Sequence, residues 1–279
     1  MMEKTPLKKM SKGLLKSLVF SFNRINEQTV SRRKYEGILE KYRTVIMELH
    51  ECVSEYVFPD LLPCSGRVDL ITNLIGTPVG ASLYIVAYLQ KVLELEGDVC
   101  EFGVAQGATS ALLANEIRAT EKTLWLFDSF KGLSKPSEND QLINDIFNLG
   151  SIDKYEGTMA CRVNEVESRL NAISFPPSQV KIIAGFIEET IQYANLPEKV
   201  CFAYVDFDFY CPISIALRFL NKRLVTGGVI VVDDYGFFSS GAKTAVDEFL
   251  KEYGYKYTPI FPSKFACQST PFVILHRSA

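Results

Sequence analysis

Residues 200–235, VCFAYVDFDFYCPISIALRFLNKRLVTGGVIVVDDY, constrain the fold more than any other stretch of the chain. Two apolar runs of strand length, 201–205 and 229–232, each end in acids: Asp206 and Asp208 after the first, Asp233 and Asp234 after the second. Between them lie an amphipathic span, 213–220, and the pair Gly227 and Gly228, which reads as a turn. Strand, helix, turn and strand in that order form a βαβ unit and therefore a parallel sheet. The carboxyl ends of such strands share one edge, and ligands bind along it. Four carboxylates from two strands are thus expected in one small volume. Unpaired, they would repel one another and be costly to bury. A divalent cation relieves both costs, and an all-oxygen donor set suits Mg²⁺ or Ca²⁺ rather than zinc. The plainer alternative is that individual acids cap the following helix or face solvent.

The 279 residues suit one large α/β domain with an extension, and a hydrophobic content of 47% supports a sizeable core. A net charge of −3 and a pI near 5.6 carry no nucleic-acid signature. No apolar run reaches the roughly 18 residues of a membrane span. The opening residues lack a long apolar stretch and a small-residue cleavage site, so no signal peptide is read there. Seven scattered cysteines without CxxC pairs indicate a reduced, cytoplasmic chain with buried thiols and no zinc site.

Residues 1–35 are basic, and Leu7, Met10, Leu14, Leu18 and Phe22 recur at helical spacing. Such a helix can lie on a membrane or pack on its own domain or a second subunit. The subunit interface is the favoured reading, so a homo-oligomer is expected and membrane binding is not. Helices are predicted over 31–57 and 79–94. A strand over 99–102 then runs into Glu101, Gly103, Gly107 and Thr109, with a helix over 109–117. A glycine-bearing turn between strand and helix lets the backbone approach a ligand closely. No Gly-Lys-Ser/Thr follows, which argues against a phosphate-loop ATPase. The next strand, 124–127, ends at Asp128, where nucleotide-binding α/β folds place an acid on ribose hydroxyls. Turn and acid together fit an adenosine moiety, from NAD or from S-adenosylmethionine. Residues 133–165 are polar and irregular, as lids and surface insertions are. Further elements are predicted at 163–170, 180–184, 185–193, 244–253, 257–260 and 271–275, the last two as an antiparallel pair.

Five motifs follow in order: Glu-x-Gly-Val at 101–104, Asp-Ser-Phe-x-Gly at 128–132, Asp-x-Asp-x-Tyr at 206–210, Gly-Gly-x-x-x-x-Asp-Asp-Tyr at 227–235 and Ala-Val-Asp-Glu-Phe at 245–249. Together, over about residues 70–260, they resemble the macrocin O-methyltransferase family, which methylates sugar hydroxyls on antibiotics with S-adenosylmethionine and Mg²⁺. The resemblance implies a Rossmann-like class I fold, an α/β doubly wound, mostly parallel seven-stranded sheet. The helical patterns before it read as an extension over 1–70, as oligomer interface or active-site cover, ahead of a methyltransferase domain over 71–279. By position, Asp206, Asp233 and Asp234 resemble the family's metal ligands, and Asp208 the acid that serves as general base in some members. Glu101, Asp128, Ser129 and the segment from Gly185 and Phe186 resemble cofactor contacts, with Gly103, Gly107, Thr109 and Asp206 on the same edge. This chain has Phe102, Ala105, Gln106 and Ala108 where the family usually has Thr, Trp, Arg and Gly, and Phe207 where it has Gly between the two acids.

The chemistry is consistent with that assignment. A sugar hydroxyl is a poor nucleophile, a metal that holds it lowers its pKa, and a nearby carboxylate can take its proton. The two histidines, His50 and His276, fall outside the motifs, so the base role passes to Asp208, which could equally hold a metal-bound water. The alternatives are a catechol-type enzyme with a phenolic acceptor and a binding module without turnover. An NAD oxidoreductase fits less well, because no Tyr-x-x-x-Lys pair follows.

Overall fold

A computed structural model describes residues 32–193, 195–262 and 271–278. The amphipathic pattern at 7–22 lies outside them. The chain divides into two compact units, Met1–Val45 and Ile46–Ala279. Helix α1, Arg32–Tyr56, supplies the described part of the first and continues into the second. Then come α2 (Arg67–Thr72), α3 (Val79–Lys91), β1 (Asp98–Phe102), α4 (Ala108–Ile117), β2 (Leu124–Asp128), α5 (Val163–Ala172), β3 (Val180–Ala184) and α6 (Ile187–Thr190). The chain closes with β4 (Val200–Val205), α7 (Tyr210–Arg223), β5 (Leu224–Val232), α8 (Gly241–Tyr253), β6 (Tyr257–Ile260) and β7 (Val273–Arg277).

The strands form one sheet in the order β3-β2-β1-β4-β5-β7-β6, parallel except that β7 runs antiparallel to β5 and β6. Alternate residues along each strand face opposite layers. Phe102, Ala203, Val205, Ile230 and Val232 meet Ile213, Leu217 and Leu220 of α7 and Val246 of α8. Val99, Phe202, Val229 and Val231 meet Ile85 and Leu89 of α3, Leu113 and Ile117 of α4 and Val166 and Leu170 of α5. Helices therefore cover both faces, which is why all six residues of β4 are buried and the strand reads as an unbroken apolar run. Each large side chain so buried contributes about 1.5–3 kcal/mol. The strand order reverses between β1 and β4, so the ligand crevice of this topology opens beyond their carboxyl ends.

Gly227 and Gly228 depart from the turn expected of them, since they lie inside β5. Val200 pairs with Leu224 and Phe202 with Val229, so β5 spends five residue steps where β4 spends two. The surplus forms a bulge, which Gly227 enters at φ 81°. A Cβ on Gly228 would sit 2.8 Å from Val225 O and 3.0 Å from Cys201 O, so the bulge closes only over a hydrogen.

The stretch expected to be irregular over 133–165 is so up to Val163 apart from a 3-10 turn at Ile152–Tyr155, and it carries a satellite core of its own. Tyr155, Phe209 and Phe238 are fully buried together. The Tyr155 and Phe238 rings meet edge to face at 4.8 Å. His276 pairs with Val229 near the start of the β5 core and so lies at the edge remote from the acids.

Candidate active site

Val205 and Val232 are register partners, so Asp206 and Asp233 leave β4 and β5 side by side. Both still belong to the ladder: Asp206 N donates to Phe102 O at 2.7 Å and Asp233 N to Val205 O at 2.9 Å. The chain then turns through Asp208 (φ 62°) and Asp234 (φ 54°), in the left-handed region that aspartate tolerates better than most residues. One carboxylate oxygen from each of Asp206, Asp208 and Asp234 falls within 4.8 Å of the others. Asp233 is not one of that group of three but adjoins it, and is 5% exposed. Its Oδ2 accepts the Tyr204 hydroxyl at 2.6 Å and its Oδ1 accepts Asp234 N–H at 2.9 Å. The same hydroxyl reaches Asp206 Oδ2 at 3.2 Å, so one buried phenol braces acids of both strands.

All four acids are held above the usual carboxylate range, first by burial. The charges of Asp233 and Asp234 add to this at Asp206, that of Asp206 at Asp208, and those of Asp233 and Asp208 at Asp234. Asp208 and Asp234 share a hydrogen bond. Asp206, Asp208 and Asp234 keep some exposed surface, yet the protein packed around them strips most of their hydration. A cluster of this kind takes up protons or a cation, and its hard oxygen donors fit a magnesium-like ion.

The glycine turn abuts the acids. Gly103 has φ 90°, and a Cβ there would overlap the Asp206 carbonyl oxygen and lie 2.7 Å from its carbon. Gly107 caps α4 at φ 76° against Val166. Glu101 is 1% exposed. One of its oxygens accepts a short hydrogen bond from Ser110 Oγ, and Oε1 has no partner. Burial pushes the Glu101 carboxyl up to about 8; the Ser110 bond pulls it down and the Asp128 charge adds to the rise. An orphaned buried oxygen beside a glycine turn suits a ligand that brings its own donor.

Asp128 is already at work. Its Oδ2 accepts Val104 N–H at 2.8 Å and Ala105 N–H at 2.9 Å, and its Oδ1 accepts Phe130 N–H at 2.6 Å. It pins the glycine turn and leaves a lone pair on Oδ1 for a hydroxyl. Ser129 Oγ donates to Gly132 O at 2.7 Å, within its own loop. Thr109 Oγ1 pairs with Thr77 Oγ1 at 2.8 Å in the interior. Gly185 N donates to Asp128 O at 2.9 Å, and Phe186 caps α6 with Lys131 Nζ 6.0 Å from its ring centre. Glu101, Gly103, Gly107, Asp128 and Gly185 thus share the edge of β1, β2 and β3 that adjoins the acids. Sequence reasoning missed Tyr204, although its place two residues before Asp206 puts it on the same face of the strand.

Glu101 carries a pH prediction. Its folded-state pKa of about 8 exceeds the ordinary 4.5, so between those values the unfolded chain ionises while the folded chain stays protonated. Stability is therefore lost as pH rises through that window, by an amount on the order of a few kcal/mol. In ligand-free melts, Glu101→Gln is expected to fall less than wild type between pH 5 and pH 8.5. Parallel curves for the two proteins would contradict the burial argument.

Residues 85–260 match the sequence model of the family described as Macrocin-O-methyltransferase (TylF). The chain is 26% identical over 239 residues to the 8-demethyl-8-(2,3-dimethoxy-alpha-L-rhamnosyl)-tetracenomycin-C 4'-O-methyltransferase of Streptomyces olivaceus, covering 80% of this chain and 87% of that protein. It is 26% identical over 163 residues to the Mycinamicin III 3''-O-methyltransferase of Micromonospora griseorubida, covering 57% of this chain and 62% of that protein. Among solved structures, the O-methyltransferase NovP aligns with a TM-score of 0.61 at 22% identity, over 72% of this chain and 81% of NovP. The calicheamicin methyltransferase CalS11 aligns with a TM-score of 0.51 at 18% identity, over 84% of this chain and 91% of CalS11. The two structures share this fold.

Proposed function

We propose, from the premise that this chain belongs to the macrocin O-methyltransferase family, that it methylates a hydroxyl of a sugar or of a glycosylated small molecule. The protein is an O-methyltransferase with the fold of the S-adenosylmethionine-dependent class. The observation that carries the acceptor reading is the acid cluster set in backbone contact with the glycine turn, through Gly103 and Asp206. The Streptomyces olivaceus relative is named for 4'-O-methylation of a rhamnosyl compound and the Micromonospora griseorubida relative for 3''-O-methylation of mycinamicin III, which supports a glycosylated acceptor here.

The cofactor would be held at the β1, β2 and β3 ends. Glu101 Oε1 would accept from its amino group and Asp128 Oδ1 from a ribose hydroxyl. Gly103, Gly107 and Gly185 admit it close to the backbone, with Thr109, Ser129 and Phe186 shaping the rim. Asp206, next to Gly103, would face both the cofactor and the acceptor. Asp206, Asp233 and Asp234 would hold Mg²⁺, since the oxygens of Asp233 keep lone pairs beyond the bonds to Tyr204 and Asp234 N–H. When bound, the ion supplies Lewis acidity that lowers the pKa of an acceptor hydroxyl. Asp208 takes the hydroxyl proton. When bound, S-adenosylmethionine would supply the methyl group, the C–O bond forming as the C–S bond breaks and the sulfur keeping the bonding pair. Positioning of the two substrates contributes much of the rate.

The assembly proposed is a homo-oligomer in the cytoplasm, with a helical extension over 1–70 and a catalytic domain over 71–279. No helix among the described residues is long and apolar enough to cross a membrane.

Incubation with labelled S-adenosylmethionine and a panel of glycosides, read by mass spectrometry, tests the acceptor class. Label on phenols and on no glycoside would overturn it. Excess chelator is expected to abolish transfer and Mg²⁺ to restore it, with cofactor affinity by calorimetry unchanged. Full activity in chelator would remove the metal from the mechanism.

A further inference from the structure

The polar insertion is fastened to both loops that carry the acids. Leu142 bridges Ser239, Ile143 N donates to Phe238 O at 2.9 Å, and Ser240 N donates to Gln141 O at 2.9 Å. Gln141 N donates in turn to Ser240 Oγ at 2.8 Å. These bonds zip residues 141–143 along the loop that follows Asp233 and Asp234. One residue earlier, Asp140 reaches the other loop. It is 4% exposed, and its Oδ1 accepts Tyr210 N–H, the first amide of α7, at 2.8 Å. Its Oδ2 accepts Ser137 N–H at 2.8 Å and Ser137 Oγ–H at 2.7 Å. The helix itself brings no side-chain cap, because Phe209 occupies that position. Gly241 opens α8 on the other side of Asp140: a Cβ there would overlap Asp140 Oδ1 and lie 2.6 Å from Tyr210 N. The carbonyl of Asp208 accepts Ser239 Oγ–H at 2.9 Å, and Ser239 Oγ accepts Gly241 N–H at 3.0 Å.

We infer that Asp140 is a positioning residue for methyl transfer: its buried side chain, bonded to Tyr210 N–H and packed on Gly241, joins the β4 loop to an insertion that residues 141–143 fasten to the β5 loop, so that Asp208 and Asp234 meet. Two features require such a staple. Asp208 and Asp234 occupy left-handed backbone that persists only where the surroundings over-determine it. The loops also bring the acids Asp206, Asp208 and Asp234 within 4.8 Å of one another, where their carboxylates repel whenever they ionise. The amide of α7 ties Asp140 to the β4 loop, the two donors of Ser137 hold its carboxylate within the insertion, and the bonds of 141–143 tie the insertion to the β5 loop, while Ser239 ties the Asp208 carbonyl to the same frame. The insertion is in this sense part of the acid site, and its attachment sets how well that site is prepared for a cation. This inference rests on the metal reading above.

The test uses the full-length protein with Mn²⁺ as the probe ion. Asp140→Ala is expected to weaken Mn²⁺ binding by about 10- to 100-fold, the scale for residues that orient metal ligands, and to lower kcat with it. Affinity for S-adenosylmethionine, bound at the other strand ends, stays unchanged. Asp140→Asn, which keeps an acceptor for Tyr210 N–H, recovers part of the loss. Should Asp140→Ala fail to fold, Ser137→Ala removes one donor and shows the same pattern at smaller size. Wild-type Mn²⁺ affinity in the variants overturns the inference. So does a parallel loss of Mn²⁺ affinity, cofactor affinity and Tm, which marks a merely structural bond. If wild type itself binds no Mn²⁺, the metal reading fails. The staple is then judged by kcat alone, and an Asp140→Ala enzyme with wild-type kcat overturns it.

Discussion

Asp208→Asn is expected to lower kcat by about 10²–10⁴-fold, the range of general acid–base catalysis, with little change in Mn²⁺ or cofactor affinity. The substitution is nearly isosteric, and asparagine accepts left-handed backbone as readily as aspartate, so the turn at φ 62° survives. What it removes is the capacity to take a proton. The plainer role for Asp208, capping α7, is already filled: the first amide of that helix goes to Asp140, and no side chain of the helix's own cap takes part. Asp208 contributes its carbonyl to Ser239 and its carboxyl to the cluster with Asp206 and Asp234. Two results would reject the base assignment. A near-normal kcat would show that the carboxyl is not needed, and a matching collapse of Mn²⁺ affinity would make it a ligand instead.

Gly103→Ala is expected to destabilise the protein by about 3–5 kcal/mol, in the upper tail for single substitutions, and to lower Tm by about 10 °C. Left-handed backbone costs an alanine roughly 1–2 kcal/mol. The rest comes from the overlap with the Asp206 carbonyl, which cannot retreat cheaply because Asp206 N is tied to Phe102 O at 2.7 Å. Any retreat would move Asp206 out of the acid cluster, so Mn²⁺ affinity should fall together with stability. Thermal melts and calorimetry check both, and a variant with wild-type Tm would mean that the turn has slack the structure does not show.

Much of the fold was legible in the sequence because the signals were local. The all-apolar β4 announced a strand covered on both faces, and the acids after β4 and β5 marked the carboxyl edge. The glycines at 103 and 107 marked a tight turn, and the structure places both at positive φ. Helix ends were approximate: α7 was expected over 213–220 and runs from Tyr210 to Arg223, because its amino-terminal amide is satisfied by a residue 70 positions away. Gly227 and Gly228 were misassigned for a similar reason. Whether a glycine pair turns between elements or bulges within one depends on the partner strand, which no local pattern reveals.

The sequence by itself determined the residue types that converge: four acids from two adjacent strand ends, and a glycine turn with Glu101 and Asp128 beside them. Residue order along each strand and the parallel direction of the strands suffice for that. Only the tertiary structure decided which oxygens face one another. Tyr204 and the Asp234 amide bond Asp233, Asp208 enters the group with Asp206 and Asp234, and the polar insertion reaches one loop through Asp140 and the other through Gln141 and Leu142. Most of those arrangements rest on hydrogen bonds between residues far apart in the chain. Their partners are chosen by packing and by the need to satisfy buried polar groups, and spacing along the sequence carries no record of that choice.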